Sequence, residues 1–466
     1  MFERNIFKKI IQKNINSKLF YNDKTYFFKD EVNKINLFEK EEFKKRKLIL
    51  FLCQNDPFII ILFALSIANN HIPILIDKDI DKSALEEIIK NYNPDFIISK
   101  KNFHSNNFKS YFNCNDFSVF KNLSDKQKKF NKHLALLLPT SGSTGSPKLV
   151  RISYTNLFSN THDICNYLNI NNNEITITTM PFNYTYGMSI VITHLFKDAS
   201  VVVYDGTILE KKFFHLINKF NVTNFGGVPI MYEMLKKIKF EKISLKSLRY
   251  LTQAGGKLND HLWEYVYQIA KMKNIEFITM YGATEATSRM SFLPFNLMMK
   301  KKGSIGKGLA TSRLNIVDDK TSKIIHEPYK KGEILYEGKN VFMGYAKNYN
   351  DLNKENLING KLFTNDLGYK DKDGYFYICG RKDRYVKIYG HRVNLDELEI
   401  ILKKKYSNCY VVKKEKILIF STDKHNSVNL IDYISNYTSI TKNMFIFKYI
   451  DSLPLKKNKK VDYAKF

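Results

Sequence analysis

The sequence predicts an α/β chain whose later part turns β-rich, and three observations carry that expectation. Between residues 47 and 77, apolar runs of strand and helix length alternate with short polar breaks, the pattern of a parallel crossover. After about Gly303 the texture changes to short alternating strands separated by glycine-containing turns. The chain is 466 residues long, more than one hydrophobic core ordinarily organises, so more than one domain is expected.

In chain order, LILFLCQ (48–54), FIIILFALSIA (58–68) and IPILID (72–77) read as strand, helix and strand. PDFIISK (94–100), EITITTMPF (174–182) and SVVVYD (200–205) are further strands, and ILEKKFFHLINKF (208–220) is a helix. The Asn/Lys-rich region 102–132 reads as a surface excursion. LALLLPT (134–140) and KLVRIS (148–153) are strand-like, and YTNLFSNTHDICNYL (154–168) is helical with Thr155 or Asn156 as its cap. GEILYEG (332–338), GYFYICG (374–380) and YVKIYG (385–390) form the β-rich portion, and from Asn394 onward helix and strand mix again. The sequence contains no internal repeat and no low-complexity linker.

Composition narrows the function classes. The formal net charge is +28, which raises the question of nucleic acid. The lysines, however, fall in pairs and triplets along the whole chain, such as Lys44-Lys45 and Lys403-Lys404-Lys405, rather than in one stripe. A solvated basic surface is therefore expected, with no nucleic-acid partner. The run 58–68 is too short to span a bilayer, so no transmembrane segment is expected. The first residues lack a cleavable leader pattern. The five cysteines are dispersed with no C-x-x-C, so neither a disulfide framework nor a zinc site is indicated, and a cytoplasmic, reducing location is expected.

The chemistry begins at PTSGSTGSPK (139–148). Gly142 and Gly145 permit positive φ, so successive backbone N–H groups can form a concavity for an anion. Thr140, Ser141, Ser143 and Thr144 add hydroxyl donors, and Lys148 adds a charge. A P-loop is excluded, because Pro147 stands before the lysine, Leu149 follows it, and the next segment is strand-like. The bland alternative is a flexible Ser/Gly linker.

The string T-S-G-S-T-G-x-P-K resembles the phosphate loop of the acyl-adenylate-forming superfamily: acyl-CoA synthetases, luciferase-like ligases and peptide-synthetase adenylation domains. Further motifs follow in the family's order. LRYLTQAGGKL (248–258) resembles its adenine-side Gly-Gly segment, here Gly255 and Gly256, and MYGATEA (280–286) resembles Y-G-x-T-E. The resemblance implies that Tyr281 stacks on adenine beside Gly282, that Thr284 touches phosphate, and that Glu285 holds magnesium. GEILYEGKNVFMGY (332–345) matches the next motif, and the stretch 362–399 matches the longest one. There Asp366 and Arg381 meet the ribose, Asp383 is the hinge, Arg392 faces phosphate, and Gly390 leaves room for a pantetheine arm. LPLKKNKKVDY (453–463) resembles the closing segment and makes Lys460 the adenylation lysine. Two departures stand out: Asn365 replaces a glycine, at a position where Asn tolerates the left-handed conformation, and Lys459 replaces the glycine before the final lysine.

The fold implied is a large N-terminal domain of α/β subdomains with a β-rich portion, residues 1–382. A small mobile α+β C-terminal domain, residues 383–466, follows the hinge. The activity implied is ATP-dependent ligation of a small-molecule carboxylic acid. An acyl-adenylate and pyrophosphate form first, then a thioester with coenzyme A or the phosphopantetheine of an acyl carrier protein, with release of AMP. Lys148, Thr284, Glu285 and Lys460 carry the catalysis, with ATP, Mg2+ and coenzyme A or phosphopantetheine as co-reactants. Tyr184, Tyr186, Gly227, Gln253 and Ala283 are the candidates for the acid pocket, with core packing as the competing role for the two tyrosines. The rivals are an enzyme that passes the acyl group to a non-thiol acceptor and a non-enzymatic basic binding protein with a relic fold.

Overall fold

A computed structural model describes residues 8, 16–100, 103, 105–124, 128–139, 148–318, 320–388, 391–438, 440–455 and 461–466, with backbone alone at 114, 383, 385, 387, 388, 391, 392 and 394. The chain forms two compact units. One comprises Met1–Arg313 with Glu337–Leu362, and the other Leu314–Tyr336 with Phe363–Phe466.

The first unit contains an eight-stranded sheet. Its centre is parallel: Leu48–Cys53 lies between Ile72–Asp77 and Phe96–Lys100, and Leu134–Pro139 follows beside Ile72–Asp77. These strands are continuous Ile/Leu/Phe runs because both faces are covered, and every residue of Leu48–Cys53 is buried. The crossover helix Pro57–Ala68 starts where Asp56 accepts a hydrogen bond from the Phe58 N–H, with Pro57 in its first turn. The region expected as a surface excursion is a β-hairpin instead. Phe108–Cys114 and Phe117–Asn122 extend the sheet antiparallel from Phe96–Lys100. Its alternating aromatics, with Phe108, Phe117 and Val119 buried, were hidden among Asn and Lys.

A second sheet of the same unit runs Asn224–Gly227, Tyr250–Gln253 and Glu276–Tyr281 in parallel register, with Gly227 opposite Gln253 and Gln253 opposite Thr279. Helix Thr185–Phe196 supplies His194 to its buried side. The His194 ring hydrogen-bonds the Ile190 carbonyl through Nδ1 and Asn224 through Nε2, and burial lowers its pKa to about 4. An unfolded chain protonates histidine near pH 6.5, whereas the folded chain keeps this ring neutral until about pH 4. Its contribution to stability is therefore fully present above about pH 6.5 and is lost as pH falls through that window. Urea unfolding at pH 7 and pH 5 should show the native protein losing about 2 kcal/mol more than His194→Gln over that interval.

The second unit carries the strands Ser312–Val317, Gly332–Gly338, Lys361–Lys370 and Phe376–Arg381 in that spatial order. It also holds the hairpin Tyr385–Ile388/His391–Asn394 and the three-stranded sheet Cys409–Lys413, Ile417–Ser421 and Phe445–Tyr449. Helices Leu395–Lys403 and Ser427–Thr438 place Leu398, Leu402, Leu430 and Ile434 into one core with Val411 and Ile419.

Candidate active site

The glycine-serine loop is bracketed by a buried antiparallel pair. Pro139, the last residue of one strand, lies opposite Leu149, the first of the next. Thr140, Ser141, Gly142, Ser143, Thr144 and Gly145 lie outside the described residues. Helix Tyr154–Tyr167 starts where its sequence predicts, but its cap lies before the expected Thr155 or Asn156. Ser153 is the cap, accepting from the Asn156 N–H, while the Asn156 side chain accepts from the Ser153 N–H. Neither Thr155 nor Asn156 is the cap, and Asn156 is the reciprocal partner in a capping box.

Strand Leu149–Ser153 also pairs antiparallel with Tyr345–Ala346, with Tyr345 opposite Val150. That register sets Tyr345 beside Lys148, whose Nζ lies 4.4 Å from the ring centroid. The Tyr345 hydroxyl donates to Glu285 Oε1 at 2.8 Å. Three residues from distant motifs thus converge: an exposed ammonium, an aromatic ring and a half-buried carboxylate. Burial and the Glu285 charge push the Tyr345 phenol well above its ordinary pKa, so it stays a donor. Arg151 secures this arrangement from below. Its buried guanidinium donates to the carbonyls of Met343, Asp351, Lys354 and Glu355.

The Y-G-x-T-E segment leaves the carboxyl end of strand Glu276–Tyr281, where parallel sheets ordinarily present ligand sites. Gly282 is required there: an added Cβ would fall 1.7 Å from the Ser288 carbonyl oxygen. Thr284–Ala286 forms a single 3-10 turn ending at Thr287, a β-branched residue at φ +64°. The Thr287 hydroxyl donates to the Asn340 carbonyl at 2.7 Å, and its own carbonyl accepts from Thr185. Such a conformation persists only when its surroundings over-determine it. The Asn340 amide reaches the carbonyls of Ala286 and Arg289, and the Phe342 N–H donates to the Glu285 carbonyl. The motif ending at Tyr345 therefore wraps the turn that carries Thr284 and Glu285. Among the described residues no three of His, Cys, Asp and Glu cluster as a metal cage. A lone carboxylate such as Glu285 fits magnesium, which takes one or two carboxylates and completes its shell with phosphate and water.

The neighbouring strand ends carry the remaining expected residues of this unit. Gln253 is buried and donates from Nε2 to the Gly256 carbonyl at 2.7 Å, folding the turn back over Gly255, whose φ is +85°. Gly227 abuts the ring of Tyr232, and Ala283 and Tyr281 are partly exposed. Tyr186 is fully buried, with its hydroxyl 2.9 Å from the Thr252 carbonyl. Tyr184 is partly buried, its ring 6.4 Å from that of Tyr186. Arg151, Thr287, Arg289 and Tyr345 join the site only in the folded chain. Arginine next to apolar strand residues, as in KLVRIS and TSRMSF, was the available signal.

In the second unit Asp366 and Arg381 meet across the antiparallel pair Lys361–Lys370/Phe376–Arg381, with Arg381 Nε 3.3 Å from Asp366 Oδ1. Asn365 adopts φ +60°, the conformation expected of a residue standing in for glycine. The backbone of Asp383 lies on the turn Lys382–Arg384. Arg384 beside it is held by Asp396 at 2.8 Å and Glu399 at 2.6 Å and stacks over Tyr463. Arg392 pairs through its backbone with Lys387, and its side chain lies outside the description. Gly390 and Lys460 also lie outside the described residues.

Comparison with known proteins agrees with this geometry. A family model described as AMP-binding enzyme matches residues 36–346. A probable 4-coumarate–CoA ligase of Dictyostelium discoideum is 31% identical over 58% of this chain and 49% of its own length. A 2-succinylbenzoate–CoA ligase of Bacillus cereus is 28% identical over 59% of this chain and 56% of its own. The chain thus spans about half the length of the curated relatives it matches. The solved o-succinylbenzoate CoA synthetase of Bacillus subtilis, in complex with its acyl-adenylate intermediate, has the same fold. It covers 98% of this chain with a TM-score of 0.79 at 20% identity, and the match takes in 96% of that structure.

Proposed function

Because the chain belongs to the AMP-binding enzyme family, we propose that it is an ATP-dependent carboxylic acid ligase that makes an acyl-adenylate and then an acyl thioester. A carboxylate oxygen attacks the α-phosphorus, the bond to the bridging oxygen breaks, and pyrophosphate leaves. Nucleophile and electrophile are both anionic, so catalysis rests on cations and donors that neutralise charge and hold an in-line approach. Residues 140–147 and Lys148 bind the β- and γ-phosphates, Thr284 donates to phosphate, and Lys460 reaches the carboxylate and the α-phosphate. Tyr281 and the Gly255-Gly256 turn accommodate adenine, Asp366 and Arg381 bind the ribose hydroxyls, and Arg392 faces phosphate. Magnesium held at Glu285, when bound, neutralises phosphate charge. In the second step a thiolate attacks the acyl carbon and AMP leaves with the bonding pair. The turn at Asp383 serves as hinge for that step, and Gly390 leaves space for the thiol arm. Coenzyme A is favoured over a carrier-protein phosphopantetheine, since both curated relatives are CoA ligases by name. Residues Tyr184, Tyr186, Gly227, Gln253 and Ala283 stand around the acid.

The observation that carries this reading is the convergence of Lys148, Tyr345 and Glu285 beside the carboxyl ends of parallel strands. Carboxylate-dependent ATP–pyrophosphate exchange tests the first step. Release of AMP with and without coenzyme A distinguishes a thiol acceptor from a non-thiol one. The convergence also makes a prediction. Tyr345→Phe keeps the ring beneath Lys148 and removes the donor to Glu285, a charged hydrogen bond. It should lower kcat/KM for ATP about tenfold at limiting magnesium, with a smaller loss at saturating magnesium. A titration of exchange rate against both reagents checks it.

A further inference from the structure

The turn Lys382–Arg384, which carries Asp383, joins two differently anchored stretches of the second unit. Ahead of the turn, strand Phe376–Arg381 pairs with Lys361–Lys370, and Lys382 is tied to the same sheet. Its ammonium lies 2.6 Å from Oε2 of the buried Glu333, whose Oε1 accepts from the Asn365 N–H at 3.0 Å. Lys382 is thereby fixed to the segment that carries Asp366.

After the turn, Arg384 is fixed to a different set of groups. Its Nε donates to Asp396 Oδ1 at 2.8 Å and its Nη2 to Glu399 Oε1 at 2.6 Å, both on helix Leu395–Lys403. Its Nη1 donates to the Val411 carbonyl at 2.8 Å. The guanidinium also stacks 4.2 Å from the centroid of the Tyr463 ring, and the Tyr463 hydroxyl donates to Glu399 Oε2 at 3.1 Å. Tyr463 stands three residues after Lys460. Arg384 therefore binds the helix, a strand of the three-stranded sheet and the lysine-bearing tail into one piece.

Two cations anchored on opposite sides leave Asp383 between them, and a hinge is a residue of this kind, able to absorb a change of φ and ψ. One carboxylate spans that point. Asp396 takes the Arg384 guanidinium on Oδ1 and accepts from the Arg381 N–H on Oδ2 at 3.0 Å. Arg381 belongs to the strand before the turn and Asp396 to the helix after it. A rotation at Asp383 must therefore pull the Arg381 N–H away from this carboxylate, and hydrogen bonds to an ionised acceptor are the strong ones. Lys331 also meets Glu397 across the turn at 3.3 Å, but with 63% and 44% of the two side chains exposed that pair contributes little.

We infer that Asp396 is a positioning residue for the two half-reactions: its carboxylate spans the turn at Asp383 and holds the tail that bears Lys460 in one of its two settings. The inference deepens the ligase reading and rests on it. When the Arg381 N–H is released, Arg384, Glu399 and Tyr463 carry the tail along with helix Leu395–Lys403, so the lysine moves with the helix rather than by itself. Asp396 touches no substrate in this role. It sets the balance between the setting that serves adenylate formation and the one that serves thiol attack, because it stabilises one of them and not the other.

Asp396→Asn keeps the shape of the side chain and weakens both of these hydrogen bonds. Two rates are read on the purified protein. The first is ATP–pyrophosphate exchange with whichever acid supports it best in a panel of aliphatic and aromatic carboxylates. The second is single-turnover thioester formation from the synthetic adenylate of that acid and coenzyme A. One rate should fall about tenfold while the other is unchanged or faster, with KM for ATP within about twofold of native. Asp396→Glu should return the ratio of the two rates toward the native value. Arg384→Lys, which keeps the charge and loses the fork, should shift that ratio in the same direction as Asp396→Asn by a smaller factor. Should Asp396→Asn fail to fold, Arg384→Lys decides by the same criterion of one rate moving without the other. Loss of both rates together, or a change in neither, overturns the inference and leaves the ligase reading standing. Absence of exchange by the native protein with every acid overturns the ligase reading, and the inference with it.

Discussion

Lys460→Ala should reduce adenylate formation by on the order of 10²–10³-fold and leave thioester formation from a supplied acyl-adenylate largely intact. The reason is that charge is needed only in one half-reaction. When the carboxylate meets the α-phosphate, two anions are forced together, and a flexible ammonium can sit between them. When the thiolate attacks the finished adenylate, the leaving AMP is already held by its ribose and phosphate contacts, and no second anion must be brought to phosphorus. Lys460 comes directly before Val461, which bridges Leu455. Asp462 adds a backbone hydrogen bond to the Pro454 carbonyl at 2.7 Å. The measurement is a pair of assays on one variant, pyrophosphate exchange with acid and ATP against thioester release from synthetic acyl-adenylate and coenzyme A. Equal loss in both would reject a role confined to the first half.

The largest effect on stability should come from Arg151→Met, about 3–5 kcal/mol. The arginine is wholly buried, and burial lowers its pKa from the ordinary guanidinium range, with Asp351 and Glu355 opposing that shift. It remains a cation that serves carbonyl oxygens rather than a carboxylate. Methionine fills much of the volume but leaves the carbonyls of Met343, Asp351, Lys354 and Glu355 without this donor, and each stranded acceptor costs roughly 1–3 kcal/mol. Relief of the charge's own burial, and of a buried Nε with no partner, keeps the total below the simple sum. Urea unfolding gives the value. Arg151→Lys, which keeps the charge and loses the fork, should fall between. Because the same carbonyls lead into and out of Tyr345, the methionine variant should also weaken ATP use in whatever fraction remains folded.

The alternation of apolar runs made the parallel core legible, since strands covered on both faces need unbroken Ile, Leu and Val. The turn at Y-G-x-T-E was legible because close backbone approach demands particular residues, as Gly282 shows with a carbonyl where its Cβ would be. Asp366 and Arg381 were grouped only by the family resemblance, and an antiparallel register sets them opposite each other. The hairpin at Phe108–Asn122 was missed because its strands alternate, and its exposed face is written in Asn and Lys. The cap of helix Tyr154–Tyr167 was misplaced because Ser153 and Asn156 exchange hydrogen bonds, so residue type alone does not say which of them is the cap.

Local order along the chain therefore determined the fold class and the family. Those properties depend on patterns a few residues long: hydrophobic period, and glycine where a side chain would collide. Only the tertiary structure decided that Tyr345 stands between Lys148 and Glu285, and that the Arg151 guanidinium is buried among carbonyl oxygens with no carboxylate paired to it among the described residues. Strand register and sheet order bring those residues together across long sequence separations. Whether a buried charge has a partner is a property of three-dimensional neighbours, which no local pattern records.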